Sequence, residues 1–375
     1  MSERRDGGSP PGRDMAPALG TRGGPGSYRR GVEGAAVALA RRAWGDARWS
    51  FLYRSDTSYA RRQPEEGEVA QAARRMRTGD IPDSVQGPVV KPPVWTWEVP
   101  LYFWFGGIAS GSAFCAVACD LAGDGRSAST LRKVALGALL PCPPLLVADL
   151  GRPARFLNML RIFKPRSPMA MGAWSLTLFG NLAAGAVAAD LLGRPRPARA
   201  LGAAAAGVAT YLGSYTGVLL ATTSVPLWAR SHTFLGPIFV ATATATGASA
   251  GRLTLAATGL PLAHPTRRAL AAVEVGAMGA ELVLSAANER RLGSLARALE
   301  EGPPGRLYRA GKLGTRAGVA LRLLRRWLGP RSDHVPSALF LAAGLAFRYA
   351  WVGAGPPSAA DDEAVARMAR AQAQS

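Results

Sequence analysis

Ionisable side chains embedded in apolar runs are the first places where this chain can do chemistry. A charge left alone in hydrocarbon costs about 2.5–3.5 kcal/mol on insertion scales, so it needs a partner, water or a function. Glu274 and Glu281 lie in the apolar run Ala269–Ala287. Their spacing is two helical turns, which puts both on one helix face, and Asn288 extends the same line. Such a stripe faces a bundle interior, where it either conducts protons or pairs with Arg252 or Arg348. A second pair closes another run in Asp149-Leu150-Gly151-Arg152-Pro153. Glycine and proline stop the helix there, and Asp149 and Arg152 can join at the bilayer edge. Tyr102 stands among Trp95, Trp97 and Trp104. The group reads as an interfacial aromatic belt, with Tyr102 also placed to hydrogen-bond a carbonyl. Asp120 and Asp190, near span ends, read as interfacial.

The metal-binding residue types point away from a metal centre. Cys115, Cys119 and Cys142 sit inside apolar runs and form no CxxC pair. An iron–sulfur cluster takes four ligands, usually thiolates, so these three read as small core residues. A bis-histidine haem needs imidazoles inside helices, whereas His232, His264 and His334 fall at helix ends or in loops and read as headgroup or surface residues. The expectation is a chain with no haem and no iron–sulfur cluster of its own.

The elements that must carry these residues follow from the distribution of apolar segments. Hydrophobic residues make up 48% of the 375 and charged residues 19%, averaged over two unlike regions. Residues 1–90 are polar, rich in glycine, proline and arginine, without a visible cleavable signal, and read as a disordered cytoplasmic extension. Within it, Trp44, Trp49, Phe51 and Tyr53 sit among arginines, a pattern suited to a membrane surface or a docking partner. Beyond Trp95 come apolar runs. About 20 residues span about 30 Å of hydrocarbon. Val99–Leu121, Met171–Leu192, Ala200–Val225, Phe234–Gly251, Ala269–Ala287 and Val335–Gly353 meet that length, and Val134–Leu150 is interrupted by Pro141, Pro143 and Pro144. Gly311–Leu328 is amphipathic and either spans behind neighbours or lies in the interface. This predicts an all-α integral membrane protein of about eight transmembrane helices over residues 91–358, with a tail at 359–375. The formal charge of +20 is spread over loops that flank the spans, which fits lipid headgroups better than nucleic acid. The arginine-rich start favours a cytoplasmic amino terminus.

Three motifs combine in order along these spans. The first helix reads Tyr102-Phe103-x-x-Gly106-Gly107-x-x-x-Gly111, with Gly107 and Gly111 forming a GxxxG face. Asp149-Leu150-Gly151-Arg152-Pro153 continues into Arg155-Phe156-Leu157-Asn158-Met159-Leu160-Arg161, followed by Ser167-Pro168-Met169 and Gly172-Ala173-Trp174. Pro226-Leu227-Trp228 and the tail Arg348-Tyr349 to Ser358 complete the set. Together they resemble the NrfD/polysulfide-reductase membrane-subunit family from about Lys91 to Ser358. The resemblance implies an eight-helix, haem-free subunit of the cytoplasmic membrane that exchanges electrons with menaquinone or ubiquinone. Its implied partners are a ferredoxin-like iron–sulfur subunit and a molybdopterin catalytic subunit, of formate dehydrogenase or polysulfide reductase type. Asp149, Arg152, Tyr102, Gly107, Asn158 and Trp174 are the motif positions carried over as candidate quinone or proton residues, joined by Glu274 and Glu281 from the helix-face reading. Two other classes compete: a transporter or channel, which calls for broken helices in two matching halves, and a passive anchor whose quinone site lies on a partner.

Overall fold

The protein is described by a computed structural model over residues 90–149, 160–161, 163–165, 167–362 and 364–365. Every regular element among these residues is helical. The helices of eight residues or more are α1 (Glu98–Leu121), α2 (Gly125–Leu139), α3 (Cys142–Asp149), α4 (Pro168–Leu191), α5 (Pro195–Ala221), α6 (His232–Ala257), α7 (Pro265–Leu292), α8 (Gly302–Leu323) and α9 (Val335–Gly353). α2 and α3 are halves of one rod interrupted at Leu140 and Pro141, where proline removes backbone donors. Eight rods result. At about 1.5 Å per residue, the 24 residues of α1 or α4 cover the hydrocarbon thickness.

Local chemistry sets where the rods start and stop. Gly123 takes a positive φ of 80°, the left-handed conformation that glycine adopts without strain, and the Asp124 amide reaches back to the Cys119 carbonyl at 2.9 Å to close α1. Asp124 then caps α2, accepting the Ser127 amide at 3.0 Å, and accepts the Thr266 hydroxyl at 2.5 Å. Burial pushes the Asp124 carboxyl up, but the hydrogen bonds from Ser127 and Thr266 outweigh it and leave it below the usual carboxylate value. Ser167 caps α4 by accepting the Ala170 amide, with Pro168 in the first turn where no donor is needed.

Contacts between loops show that the rods alternate in direction. At one end, the Trp95 and Trp228 rings stack 5.2 Å apart, and the Trp228 indole donates to the Trp351 carbonyl at 2.9 Å. This tryptophan end gathers the start of α1, the α5–α6 turn and the end of α9. The opposite, arginine end gathers Asp124 and Thr266, the Arg132–Asp190 pair at 2.7 Å and the Arg252–Asp333 pair at 2.5 Å. Asp120 and Asp190, expected to be interfacial, lie at this end of their rods, where Arg132, 5% exposed, binds both and ties α1, α2 and α4 together.

Among the described residues, six helical segments are long and apolar enough to cross a membrane by length and composition: Glu98–Leu121, Gly125–Asp149, Pro168–Leu191, Pro195–Ala221, Pro265–Glu300 and Ser332–Ala359. α6 and α8 are not among them. α6 packs against α1, α5, α7 and α9, so its polarity is masked from lipid. Thr242 and Thr246 donate to carbonyls one turn back at 2.8 and 2.9 Å, which satisfies their hydroxyls inside the helix. α8, the amphipathic stretch, lies along α9 and turns Arg322 inward. Close backbone approach replaces apolar burial as the adhesive. A Cβ on Gly111 would stand 2.0 Å from the Ala243 carbonyl oxygen, and one on Gly247 would stand 2.3 Å from the backbone of Gly111.

Candidate functional site

A cleft opens near the tryptophan end between the first four rods. Trp95, Val99, Tyr102 and Phe103 contribute from the start of α1, Leu146 and Asp149 from the end of α3, Met169, Gly172 and Ala173 from α4, and Tyr215 and Leu219 from α5. Each comes from the same end of its rod, so the up-and-down topology brings four distant stretches of sequence to one level. Aromatic rings form the back wall: Trp95 meets Phe103 edge-on at 6.4 Å, and Phe103 meets Phe239 at 6.4 Å. Three residues with ionisable oxygens, Tyr102, Tyr215 and Asp149, are also among those lining the cleft. The free space is about 50 Å³, enough for a water or two, so a larger ligand requires the walls to part.

Glycine at position 172 is what admits Tyr215. A Cβ there would lie 2.1 Å from the Tyr215 ring carbon that bears the hydroxyl. The Gly172-Ala173-Trp174 motif therefore works through its glycine, and Tyr215 is a cleft residue that no sequence motif announced. Trp174 itself points elsewhere: it is 36% exposed and packs edge-on against Phe163 at 5.9 Å. Gly107 also lies off the cleft, facing Ala243 and the Arg348 guanidinium at 3.6 Å. Arg152 and Asn158 fall outside the described residues.

The glutamate line on α7 divides into two unlike parts. Glu274, fully buried, is held at the arginine end by Arg322 (2.5 Å) and the Ser337 hydroxyl (2.5 Å), with Arg252 at 3.9 Å. Asp333 completes this cluster with Arg252 (2.5 Å), Arg322 (3.1 Å), Arg325 (3.1 Å) and Arg267 (3.4 Å). The cluster clamps α6, α7, α8 and the segment before α9. Sequence reasoning named Arg252 and Arg348 as the partners of the glutamates; Arg322, the main partner, came from the stretch whose path was open, and Asp333 from a loop.

Glu281, two turns further along, is 3% exposed and accepts the Ser285 hydroxyl at 2.7 Å. It joins no ion pair among the described residues. Arg348 is 1% exposed, donates to the Phe239 carbonyl at 3.2 Å and covers the Phe239 ring at 3.7 Å, while its second terminal nitrogen has no hydrogen-bond partner among the described residues. Asn288 continues the line by donating to the Ser231 hydroxyl at 3.0 Å. Next to it, Glu289 accepts from Tyr308 (2.6 Å) and Lys312 (2.5 Å). Polar groups thus run from the arginine end toward the tryptophan end along α7. Phe239 stands between Arg348 on that side and Phe103 of the cleft on the other.

No group of three or more His, Cys, Asp or Glu residues that could hold a metal ion occurs among the described residues. Cys115, Cys119 and Cys142 are buried and unpaired by disulfides. His264 caps α7, and His232 leans on the Ala229 carbonyl.

A bundle of eight rods, six segments of it long and apolar enough to cross a membrane, with a small aromatic cleft at one end, defines a multi-pass membrane protein. The family model for polysulphide reductase, NrfD, matches residues 88–286, more than half of the chain, and the chain belongs to that family. No curated protein matches it. The family match stops within α7. The tail motif beyond it still closes on the matched part: Ser358 accepts the Leu227 amide at 3.0 Å, and Gly355 leaves room for the Trp228 ring.

Proposed function

We propose that this protein is the quinone-exchanging membrane subunit of an oxidoreductase complex, passing electrons between a ferredoxin-like iron–sulfur subunit and menaquinone or ubiquinone. A molybdopterin subunit completes the complex, of the formate dehydrogenase type in preference to the polysulfide reductase type, because of the long extension at residues 1–90. The protein sits in the cytoplasmic membrane with its amino terminus on the cytoplasmic side.

The observation that carries this reading is the cleft, where a carboxyl and two phenols face an aromatic wall at one end of the bundle. Quinone reduction takes up two protons with two electrons, so its site needs flat apolar walls for the ring and proton-bearing groups at the carbonyl oxygens. Trp95 and Phe103 supply the walls. Tyr102 and Tyr215 supply hydroxyl donors, and Asp149 supplies a group that can take a proton at the mouth and release it within. On α7, Glu274 is fixed between cations and serves chiefly to hold helices together. Glu281, hydrogen-bonded by Ser285 and in no ion pair among the described residues, is the member of the line assigned to proton transfer.

The test is quinone turnover by the purified complex carrying Asp149→Asn or Tyr102→Phe. Loss of a positioned proton donor lowers the rate by roughly a hundredfold or more, with the iron–sulfur subunit still bound. Wild-type rates in both variants would remove the cleft as the reaction site and leave the subunit a passive anchor. Supplying formate as the electron donor separates the two complex types.

A further inference from the structure

The buried cluster that clamps α6, α7 and α8 at the arginine end does not balance its own charge. Glu274 and Asp333 bring two carboxylates, whereas Arg252, Arg267, Arg322 and Arg325 bring four guanidinium groups to within 3.9 Å of them. No other carboxylate pairs with any of the four among the described residues. Arginine keeps its proton inside a protein, so titration cannot discharge the excess. Water does little to screen it either, since the side chains of Arg252, Arg267 and Arg322 are each 5% exposed or less. Two donors also remain unspent: the Nε atoms of Arg267 and Arg322 are buried and have no hydrogen-bond partner among the described residues.

The fourth arginine connects this charge with the outside. Arg325 holds Asp333 through Nε at 3.1 Å, yet its side chain is 35% exposed. Beside it in the chain, Leu323, Leu324 and Trp327 are all exposed. Large apolar side chains exposed next to buried cations, at the end of a membrane-crossing bundle, suit the headgroup boundary, where tryptophan is favoured. We propose that the arginine cluster binds the phosphate of an anionic membrane lipid at Arg325, with the lipid chains along Leu323, Leu324 and Trp327. Guanidinium groups take phosphate oxygens through paired, charge-assisted hydrogen bonds. A net negative headgroup offsets the surplus cation, whereas a headgroup that carries its own ammonium adds back the charge the cluster already has in excess. A soluble oxyanion satisfies the arginines but makes no use of the apolar flank.

The test is the thermal unfolding midpoint of the delipidated full-length chain in detergent, titrated separately with phosphatidylglycerol, phosphatidylcholine and inorganic phosphate. Phosphatidylglycerol is expected to raise the midpoint saturably, as a ligand of the folded state does, and phosphatidylcholine to leave it unchanged. In Arg325→Gln the half-saturating phosphatidylglycerol concentration is expected to rise roughly tenfold or more, the loss of one charge-assisted hydrogen bond. Arg325→Lys, which restores the charge, is expected to recover part of that loss. An equal rise with inorganic phosphate alone would replace the lipid by a soluble oxyanion and overturn the lipid assignment. Equal responses to the two lipids, no response to either, or a phosphatidylglycerol response unchanged in Arg325→Gln would overturn the site and leave the surplus charge to a carboxylate from elsewhere. The wild-type titrations decide between lipid, oxyanion and neither even if the glutamine variant fails to fold.

Discussion

Asp333 illustrates how a single loop residue can decide the fate of a membrane bundle. It lies in the short turn before α9, fully shielded, and four guanidinium groups approach it within 3.4 Å. Taken with Glu274, two carboxylates face four arginines, so neither acid is redundant. Removing one partner of a buried pair leaves uncompensated charge and costs about 3–5 kcal/mol. Asp333→Ala is therefore expected to lower the thermal unfolding midpoint of the detergent-solubilised protein far more than Glu274→Gln, which keeps a polar group for Arg322 and Ser337. Similar midpoints for the two variants would show that the cluster is not the clamp described above. Glu281 contrasts with both, since it accepts the Ser285 hydroxyl and joins no ion pair among the described residues.

At the scale of elements, the helices are held by shape more than by apolar burial. Lipid tails are as apolar as leucine, so close packing must distinguish protein neighbours from solvent. α1 and α6 meet backbone to backbone at Gly111 and Gly247. Gly111→Ala places a methyl group 2.0 Å from a carbonyl oxygen and is expected to cost about 1–3 kcal/mol by overpacking. Gly107→Ala, whose new methyl would have its nearest neighbours at 3.6 Å, is expected to be nearly neutral. Parallel unfolding measurements separate the two; equal losses would mean that the helices adjust their spacing freely. The break in α2/α3 also belongs to this scale. A transporter of the broken-helix type would show a second such interruption in its matching half, and the other long rods among the described residues run unbroken.

For the molecule as a whole, eight rods put residues 90 and 355 at the same end, with turns alternating between the two faces. Gly193 and Gly259 are exposed at the arginine end, and Ser224 and Glu301 at the tryptophan end. Single cysteines at these positions are expected to react with a membrane-impermeant maleimide in two sets, Gly193→Cys with Gly259→Cys from one side and Ser224→Cys with Glu301→Cys from the other. Labelling of all four from one side would overturn the eight-rod path, most directly the passage of α8 through the bundle.

The helical class, most of the spans and the family were legible in the residues, because hydropathy over 20 positions and local motifs such as Tyr102–Gly111 and Ser167–Trp174 are short-range properties; the expected span Phe234–Gly251 is not among the segments apolar enough by composition. The helix face bearing Glu274, Glu281 and Asn288 was legible too, since periodicity alone sets it. What those groups meet was not. Tyr215 enters the cleft because Gly172, on another helix, vacates the space for its ring. Arg132 gathers Asp120 and Asp190 from two other rods, and Arg322 reaches Glu274 from a stretch whose path the sequence left open. A sequence specifies which side chains are costly to bury; only the packing of distant rods decides which partners they find.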